Sequence, residues 1–254
     1  MDVLNLAHGS FYMLGAYVGL TVAQVTHSFW IAILAAPLAL ALVGLVMEVL
    51  FFRRLYARGH LMQVLLTFGF TLVFVELVKL RYGPNIQPFP TPGGLTGAVD
   101  LVAFRFPTYK LFVIAVAALV ALGLLAGWRH RLGAVLRAGV ADREMVGLLG
   151  IDLQRAFTLT FAFGAGLAGL AGVVAGPYLS IYPGMDENIL ILALVVVVVG
   201  GLGSIEGAIL GSLLIGLANS FGSFYLQQSA VAIVFAVMAS VLLVRPRGLF
   251  GLRQ

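Results

Sequence analysis

Long apolar runs recur along the whole chain, and they constrain its fold more than any other feature. The sequence has 254 residues, of which 61% are hydrophobic and only 10% are charged. A helix rises about 1.5 Å per residue, so a run of about 20 apolar residues crosses the roughly 30 Å hydrocarbon core of a bilayer. Because lipid offers no hydrogen-bond partners to the backbone, such runs fold as helices. We therefore predict an all-α fold, a polytopic helical membrane bundle.

The apolar runs predict seven or eight hydrophobic segments, and two of these are short. The segments are Leu6–Val25, Trp30–Phe52, Leu61–Leu80, Tyr109–Trp128, Phe157–Tyr178, Ile189–Leu202, Ile205–Asn219 and Ala230–Val244. The runs leave no polar stretch long enough for a separate soluble domain. We expect residues 1–254 to form a single transmembrane domain.

Basic residues are concentrated in alternate loops and predict the orientation. Eleven of them occupy three regions: Arg53, Arg54 and Arg58; Arg129, Arg131, Arg137, Arg143 and Arg155; and Arg245, Arg247 and Arg253. Only Lys79, Arg81, Arg105 and Lys110 fall in the opposite loops. The positive-inside rule places the first group, and the C-terminus, in the cytoplasm. The same alternation predicts four outer loops, at Thr26–Phe29, Arg81–Thr108, Ser180–Asn188 and Ser220–Ser229. The second of these is rich in proline and glycine, which predicts a rigid loop. The net charge of +5 then reflects membrane topology, and we expect no nucleic-acid partner.

The composition excludes several kinds of chemistry. There are no cysteines and the four histidines are scattered, so neither a thiolate nor a metal site is indicated. Neither lysine stands in a phosphate-binding P-loop, so we expect no ATPase site and no cofactor in this chain. Acidic residues fall near the predicted segment ends, where we expect Glu76 and Lys79 to form a local ion pair or to extend toward the membrane surface. The same is expected of Glu48, which lies near Arg53 and Arg54. This placement argues against a self-sufficient proton-driven carrier.

The longest predicted cytoplasmic loop contains an amphipathic stretch. A short helix from about Ala141 to Leu149, ended by Gly150, fits its pattern. Such a helix could lie on the lipid surface or dock on a soluble protein. Internal packing is also open for it. The acidic Asp142 and Glu144 would be repelled by an anionic leaflet, which shifts the balance toward a protein partner.

Glycines follow helical spacing in two segments. Gly164, Ala168 and Gly172 have the small-xxx-small spacing that permits close helix contact. Near Gly200 to Gly207 the glycines predict a tight turn between two part-spans. These glycines could serve helix packing alone, or they could line a permeation path with backbone atoms, and the sequence leaves both roles open.

Five stretches carry a resemblance to a known family. They are "LNLAHGSFYMLGAY", "TFGFTLVFVELVKLRYGP", "RAGVADREMVGLLGIDLQRAFTLTFAFGAGLAGLAGVVAG", "GGLGSIEGAILGSLLIGL" and "RPRGLFG". Over almost its whole length the chain resembles the permease subunits of branched-chain amino-acid ABC importers. The Asn-x-Ala-His-Gly form at Asn5 to Gly9 is similar to the H-type subunit.

The resemblance implies partners and a location. A second permease subunit of the M type would complete the membrane core, with two cytoplasmic ATP-binding subunits that hold ATP and Mg²⁺. A periplasmic or lipid-anchored binding protein would deliver the amino-acid substrate. The chain would be a multi-pass protein of a bacterial or archaeal inner membrane, surrounded by lipid.

The resemblance also implies roles for three groups of residues. The segment from about residue 137 to 152 would couple the permease to an ATPase subunit, through Ala138, Ala141, Asp142, Arg143, Glu144, Met145, Gly147, Leu149, Gly150 and Ile151. The entrance segment, with Asn5, His8, Ser10 and Tyr12, would line or gate the pathway, or serve only as a helix cap and packing motif. Gly200, Gly201, Gly203 and Gly207 would form a structural turn.

In that family another hydrophobic span normally precedes the Asn-x-Ala-His-Gly motif. We expect this chain to lack that span because of a start codon placed too late, a genuine truncation or an engineered piece. The first is favoured, since the loss of a core helix would expose packing surface to lipid. The alternative functions are a urea or short-chain amide ABC permease, an ATP-independent carrier or channel, and a structural membrane protein.

Overall fold

The computed structural model describes residues 5–55, 59–101, 104–225 and 230–251. Arg58 and Arg253 lie outside this range, as do residues 226–229 of a predicted outer loop. The chain divides into two compact units. The first unit comprises residues 1–119 and 130–188, and the second comprises residues 120–129 and 189–254.

Helices account for most of the described chain, as the apolar runs predict. They are α1 (Ala7–Thr26), α2 (Phe29–Met47), α3 (Arg53–Leu55), α4 (His60–Tyr82), α5 (Thr108–Arg129), α6 (Arg131–Ala141), α7 (Arg143–Leu148), α8 (Leu153–Leu179), α9 (Met185–Gly200), α10 (Ile205–Tyr225) and α11 (Ala230–Val244). A π-helical turn, Glu48–Phe52, joins α2 to α3.

Five of the described helices are long and apolar enough to cross a membrane. They are Phe29–Leu55, Leu61–Tyr82, Thr108–Arg129, Leu153–Leu179 and Ile205–Tyr225. The last is longer than the sequence predicted, because the helix continues beyond Asn219 to Tyr225. The prediction of a short segment there is therefore wrong. The short segment α9 has 16 residues.

Helix α1 is the central helix of the first unit. Eleven of its 20 residues are buried, and it packs against α2, α4 and α8. A helix surrounded by protein does not need to be as apolar as one that faces lipid. This position accounts for the histidine, serine and tyrosines in α1, and for its absence from the five apolar helices.

Small residues allow α1, α2 and α8 to approach closely. A side-chain carbon on Gly172 of α8 would overlap the carbonyl of Tyr12, and one on Gly166 would lie 3.0 Å from the carbonyl oxygen of Pro37. Between these helices, Phe11, Leu40 and Ala165 belong to the hydrophobic core. The predicted close contact through small residues of α8 is confirmed.

The end of the second predicted segment departs from regular helix. The π-helical turn buries the Glu48 side chain completely, so Glu48 does not extend toward the surface as its place beside two arginines suggested. The predicted Glu76–Lys79 pair is confirmed, with an N–O distance of 2.7 Å between exposed side chains.

The proline- and glycine-rich loop after α4 begins at Gly83, whose φ is +79°. Gln87 forms an antiparallel bridge with Ile181, and the Phe89 ring packs against Gly176 of α8. A two-stranded antiparallel hairpin follows, formed by β1 (Ala98–Leu101) and β2 (Phe104–Pro107). Tertiary contacts thus hold the loop against the first unit, in line with the rigid loop that the prolines indicate.

The second unit contains most of α9 together with α10 and α11. Its core contains Val195, Val199, Ile215 and Val234, and α10 packs against α11. The chain turns from α9 into α10 through Gly201–Ser204, where Gly201 and Gly203 have φ values of +101° and +82°. These left-handed conformations are accessible to glycine without a steric penalty.

Candidate functional site

The entrance segment lies inside the first unit, at the start of α1. The Asn5 Oδ1 atom accepts a hydrogen bond from the Ala7 amide at 3.1 Å, which satisfies the first amide of α1. The exposed His8 ring lies beside Gly164 of α8. Ser10 and Tyr12 are buried. The four predicted residues therefore share one helical segment but have different surroundings.

Ser10 contacts a residue that the sequence placed elsewhere. Its hydroxyl donates a 2.9 Å hydrogen bond to the Oδ2 atom of Asp186, in the first turn of α9. Ser10 is 0% exposed and Asp186 is 1% exposed. The sequence predicted an outer loop over Ser180 to Asn188 and acidic groups only near segment ends. The first expectation is wrong for Asp186, because α9 begins at Met185 and its first turn is buried against α1. The second holds, because Asp186 lies in the first turn of a helix.

Sequence reasoning missed this pair because its members are 176 positions apart. Ser10 has no charge to attract attention. Asp186 lies shortly after Pro183 and Gly184, a pair that is typical of a surface turn. One signal was available: an acidic residue beside a long apolar run is costly in a membrane unless protein surrounds it.

The coupling segment folds as two helices separated by one residue. Asp142 lies between α6 and α7, and its Oδ1 atom accepts a hydrogen bond from the Met145 amide at 3.0 Å, which caps α7. Gly150, with a φ of +76°, ends the turn after α7. The prediction of a helix near Ala141–Leu149 is confirmed for Arg143–Leu148, while Asp142 interrupts the helix and α6 was not predicted.

The α6–α7 segment is attached to α8. Val146 is buried, and Gly139 packs against the side chain of Leu153 at the start of α8. Asp152 caps α8 by accepting a 3.1 Å hydrogen bond from the Arg155 amide. A displacement of α7 would therefore act on the end of α8 that lies beside it.

Apolar side chains remain exposed on this segment. We call Val140, Met145, Leu148, Leu149 and Ile151 the coupling patch. Leu148 is 85% exposed and Met145 is 58% exposed. The candidate residues Ala138, Ala141, Asp142, Gly147 and Gly150 are exposed as well, whereas Arg143 and Glu144 belong to the first turn of α7. An exposed apolar patch next to polar residues is typical of a protein or lipid contact.

The predicted glycine turn is held by the C-terminal segment. The Leu249 amide donates to the Val199 carbonyl at 2.9 Å, and the Phe250 amide donates to the Gly200 carbonyl at 3.0 Å. These carbonyls belong to the last turn of α9, which has no partners for them within the helix. A side-chain carbon on Gly200 would overlap the backbone of Gly207. The "RPRGLFG" stretch thus forms a cap for α9, which sequence reasoning did not foresee.

Metal-binding chemistry has no support in the part of the chain that the structure describes. No three histidine, cysteine, aspartate or glutamate side chains there could hold a metal ion together.

Comparison with known proteins identifies the family. The family model described as "Branched-chain amino acid transport system / permease component" matches residues 1–244. No solved structure matches the chain.

Similar proteins are known from bacteria and from an archaeon. The high-affinity branched-chain amino acid transport system permease protein BraD of Pseudomonas aeruginosa is 32% identical over 267 residues, covering 99% of this chain and 87% of that protein. LivH of Escherichia coli K12, named as the same kind of permease protein, is 29% identical over 272 residues, covering 99% and 86%. The probable permease LivH of Methanocaldococcus jannaschii is 27% identical over 271 residues, covering 98% and 84%.

The resemblance in the sequence is thus confirmed, and so is the prediction of a permease subunit rather than an ATPase. The chain belongs to the permease components of branched-chain amino acid transport systems, and it is a multi-pass helical membrane protein of an ABC system.

Proposed function

We propose that this chain forms half of the path by which an ABC importer moves branched-chain amino acids across the inner membrane. The family match over residues 1–244 carries the proposal. The names of similar permeases, which specify branched-chain amino acids, support the substrate class. The mechanism would be alternation between inward-facing and outward-facing states.

We propose three kinds of protein partner in such a system. An M-type permease subunit would complete the path, and two cytoplasmic subunits would bind and hydrolyse ATP with Mg²⁺. A periplasmic or lipid-anchored binding protein would deliver the amino acid. The missing P-loop supports this division, because the energy of ATP must come from other subunits.

The coupling patch is the proposed contact with an ATPase subunit. Its exposed apolar residues fit a groove on a soluble protein. The packing of α6 and α7 against α8, which includes Gly139 against Leu153, would transmit movement of the patch to α8. This assignment requires residues 137–152 and the C-terminus to be cytoplasmic, as the arginine-rich loops favour.

The entrance segment is the proposed gate. Asn5, His8, Ser10 and Tyr12 lie at the start of a helix that is mostly surrounded by protein. For Gly200, Gly201, Gly203 and Gly207 we propose a structural role only. The surroundings of Gly200, Gly201 and Gly207 are mainly backbone and the C-terminal segment, and Gly203 has a positive φ.

Proteoliposomes provide the test. They would contain this chain, its M-type partner, both ATPase subunits and the binding protein, and uptake of labelled leucine would be measured with ATP or with a non-hydrolysable analogue. We expect uptake only with hydrolysable ATP and all subunits, and competition by isoleucine and valine. Competition by urea or acetamide alone would indicate the amide permease, and uptake without ATP would indicate a carrier or channel.

A further inference from the structure

The start of α1 lies beside the middle of α8. His8 lies next to Gly164, and Tyr12 lies next to Gly172, so Ser10 is level with the residues between them. Helix α8 runs for 27 residues from Leu153, about 40 Å at 1.5 Å per residue. Ser10 is therefore roughly 20 Å from either end of α8, deep in the first unit.

Asp186 reaches this depth because the chain turns back after α8. Ser180, with a φ of +63°, and Gly184, with a φ of +97°, bound the connection to α9. Between them, Ile181 forms a bridge with Gln87, and the Met185 amide donates to the Tyr182 carbonyl at 3.3 Å in a turn that leads into α9. Helix α9 thus begins beside the middle of α8, with its first turn against α1.

Few interactions offset the free-energy cost of burying the Asp186 carboxylate against α1. Ser10 is the one side-chain donor that reaches its carboxylate among the described residues, and the Oδ1 atom has no hydrogen-bond partner there. The other interactions come from the backbone amides of Asp186 and Glu187 in the same helical turn. No ion pair within the described chain includes Asp186. Burial of a carboxylate without a cation is costly, although the first turn of a helix favours a negative charge. Exposure to water would repay much of that cost.

The neighbouring contact between α1 and α8 is different, since it consists of apolar and glycine contacts at close range. Separation of α8 from α1 would lose packing without any gain in solvation. Separation of the first turn of α9 from α1 would break one hydrogen bond and hydrate a carboxylate. Of these two contacts, the second is therefore the one that can open and close.

We propose that Asp186 is a positioning residue of the transport gate: its hydrogen bond with Ser10 holds the start of α9 against α1 in the closed gate, and transport requires this contact to open. Ser180 and Gly184 form the hinge. The inference rests on the proposed function, in which the entrance segment of α1 is the gate, and it adds α9 as the element that moves.

A cross-link tests whether the contact opens. The chain has no cysteines, so Ser10→Cys with Asp186→Cys introduces the only pair. In the complete importer we expect the oxidised double variant to take up leucine at least tenfold more slowly than the same variant after reduction. Two reduced cysteines hold the gate closed neither by the native hydrogen bond nor by a large apolar contact, so the comparison isolates the effect of the cross-link. The matched controls are the two single-cysteine variants, whose leucine uptake should be the same before and after oxidation. A cross-linked importer that still transports would overturn the proposal.

Two further variants give opposite expectations and do not depend on a cross-link. Asp186→Leu removes the buried charge, so we expect equal or higher thermal stability with uptake reduced at least tenfold, because the closed contact no longer gains from hydration. Ser10→Ala removes the donor that holds the closed gate, so we expect lower stability together with leucine leak in the absence of ATP. A role in folding alone predicts that uptake follows stability in both variants, and that result would overturn the proposal.

The wild-type importer separates this inference from the proposed function. If wild-type proteoliposomes show no ATP-dependent leucine uptake, the proposed function fails. If they show it and the Asp186 and Ser10 variants behave as a folding contact would, only the gate assignment fails.

Discussion

Gly15 on α1 lies directly against Gly169 on α8, and a side-chain carbon on Gly15 would overlap the backbone of Gly169. We expect Gly15→Ala to lower the free energy of unfolding by about 1–3 kcal/mol, because overpacking must push the two helices apart. Thermal unfolding of the purified protein in detergent would measure it. Gly69→Ala on α4 is the control, since nothing lies within 4 Å of a carbon placed there. Equal stability of both variants would contradict the close contact.

The coupling patch predicts a loss of transport without a loss of stability. Leu148 is almost fully exposed, so Leu148→Asp should leave thermal stability within about 0.5 kcal/mol of the wild type. It should lower ATP-driven uptake about tenfold, as expected when an apolar anchor of an interface is lost. Ile86→Asp, at an exposed position in the loop after α4, is the matched control. Normal uptake by the Leu148 variant would argue that the patch faces lipid.

The cap on α7 separates the role of a hydrogen bond from that of a charge. Asp142→Ala removes the acceptor for the Met145 amide and should cost about 1 kcal/mol of local helix stability. We expect weaker binding of the ATPase subunits and a lower uptake rate. Asp142→Asn keeps an acceptor at the cap, so it should bind and transport like the wild type. If Asp142→Asn is as impaired as Asp142→Ala, the charge and not the cap is required.

The C-terminal cap of α9 predicts a stability effect in the second unit. Gly248 has a φ of +80°, and a side-chain carbon there would lie 2.6 Å from Gly201. Gly248→Ala should therefore lower the free energy of unfolding by roughly 2 kcal/mol, from the left-handed backbone and the overlap together. Gly216→Ala on α10 has free space for its methyl group and serves as the control. An unchanged melting temperature for the Gly248 variant would mean that the C-terminal segment does not hold the turn.

The sequence by itself determined the helical class and most segment positions. Apolar runs of spanning length must form helices in lipid, so Leu61–Leu80 and Tyr109–Trp128 correspond closely to α4 and α5. The sequence also indicated the close packing of α8, because small residues at helical spacing leave a groove for any neighbour. It pointed to the family through its motifs, which the match over residues 1–244 confirms.

Only the tertiary structure decided which residues meet. The hydrogen bond between Ser10 and Asp186 depends on the return of the chain after α8, and the cap of α9 depends on a segment about 50 residues further along. Neither contact could be found from the hydrophobic pattern of the sequence. Hydrophobic periodicity shows which face of a helix is buried, but it does not show where that helix lies along a neighbouring helix. The sequence therefore placed Asp186 at a surface, whereas packing around α1 buried it in the interior.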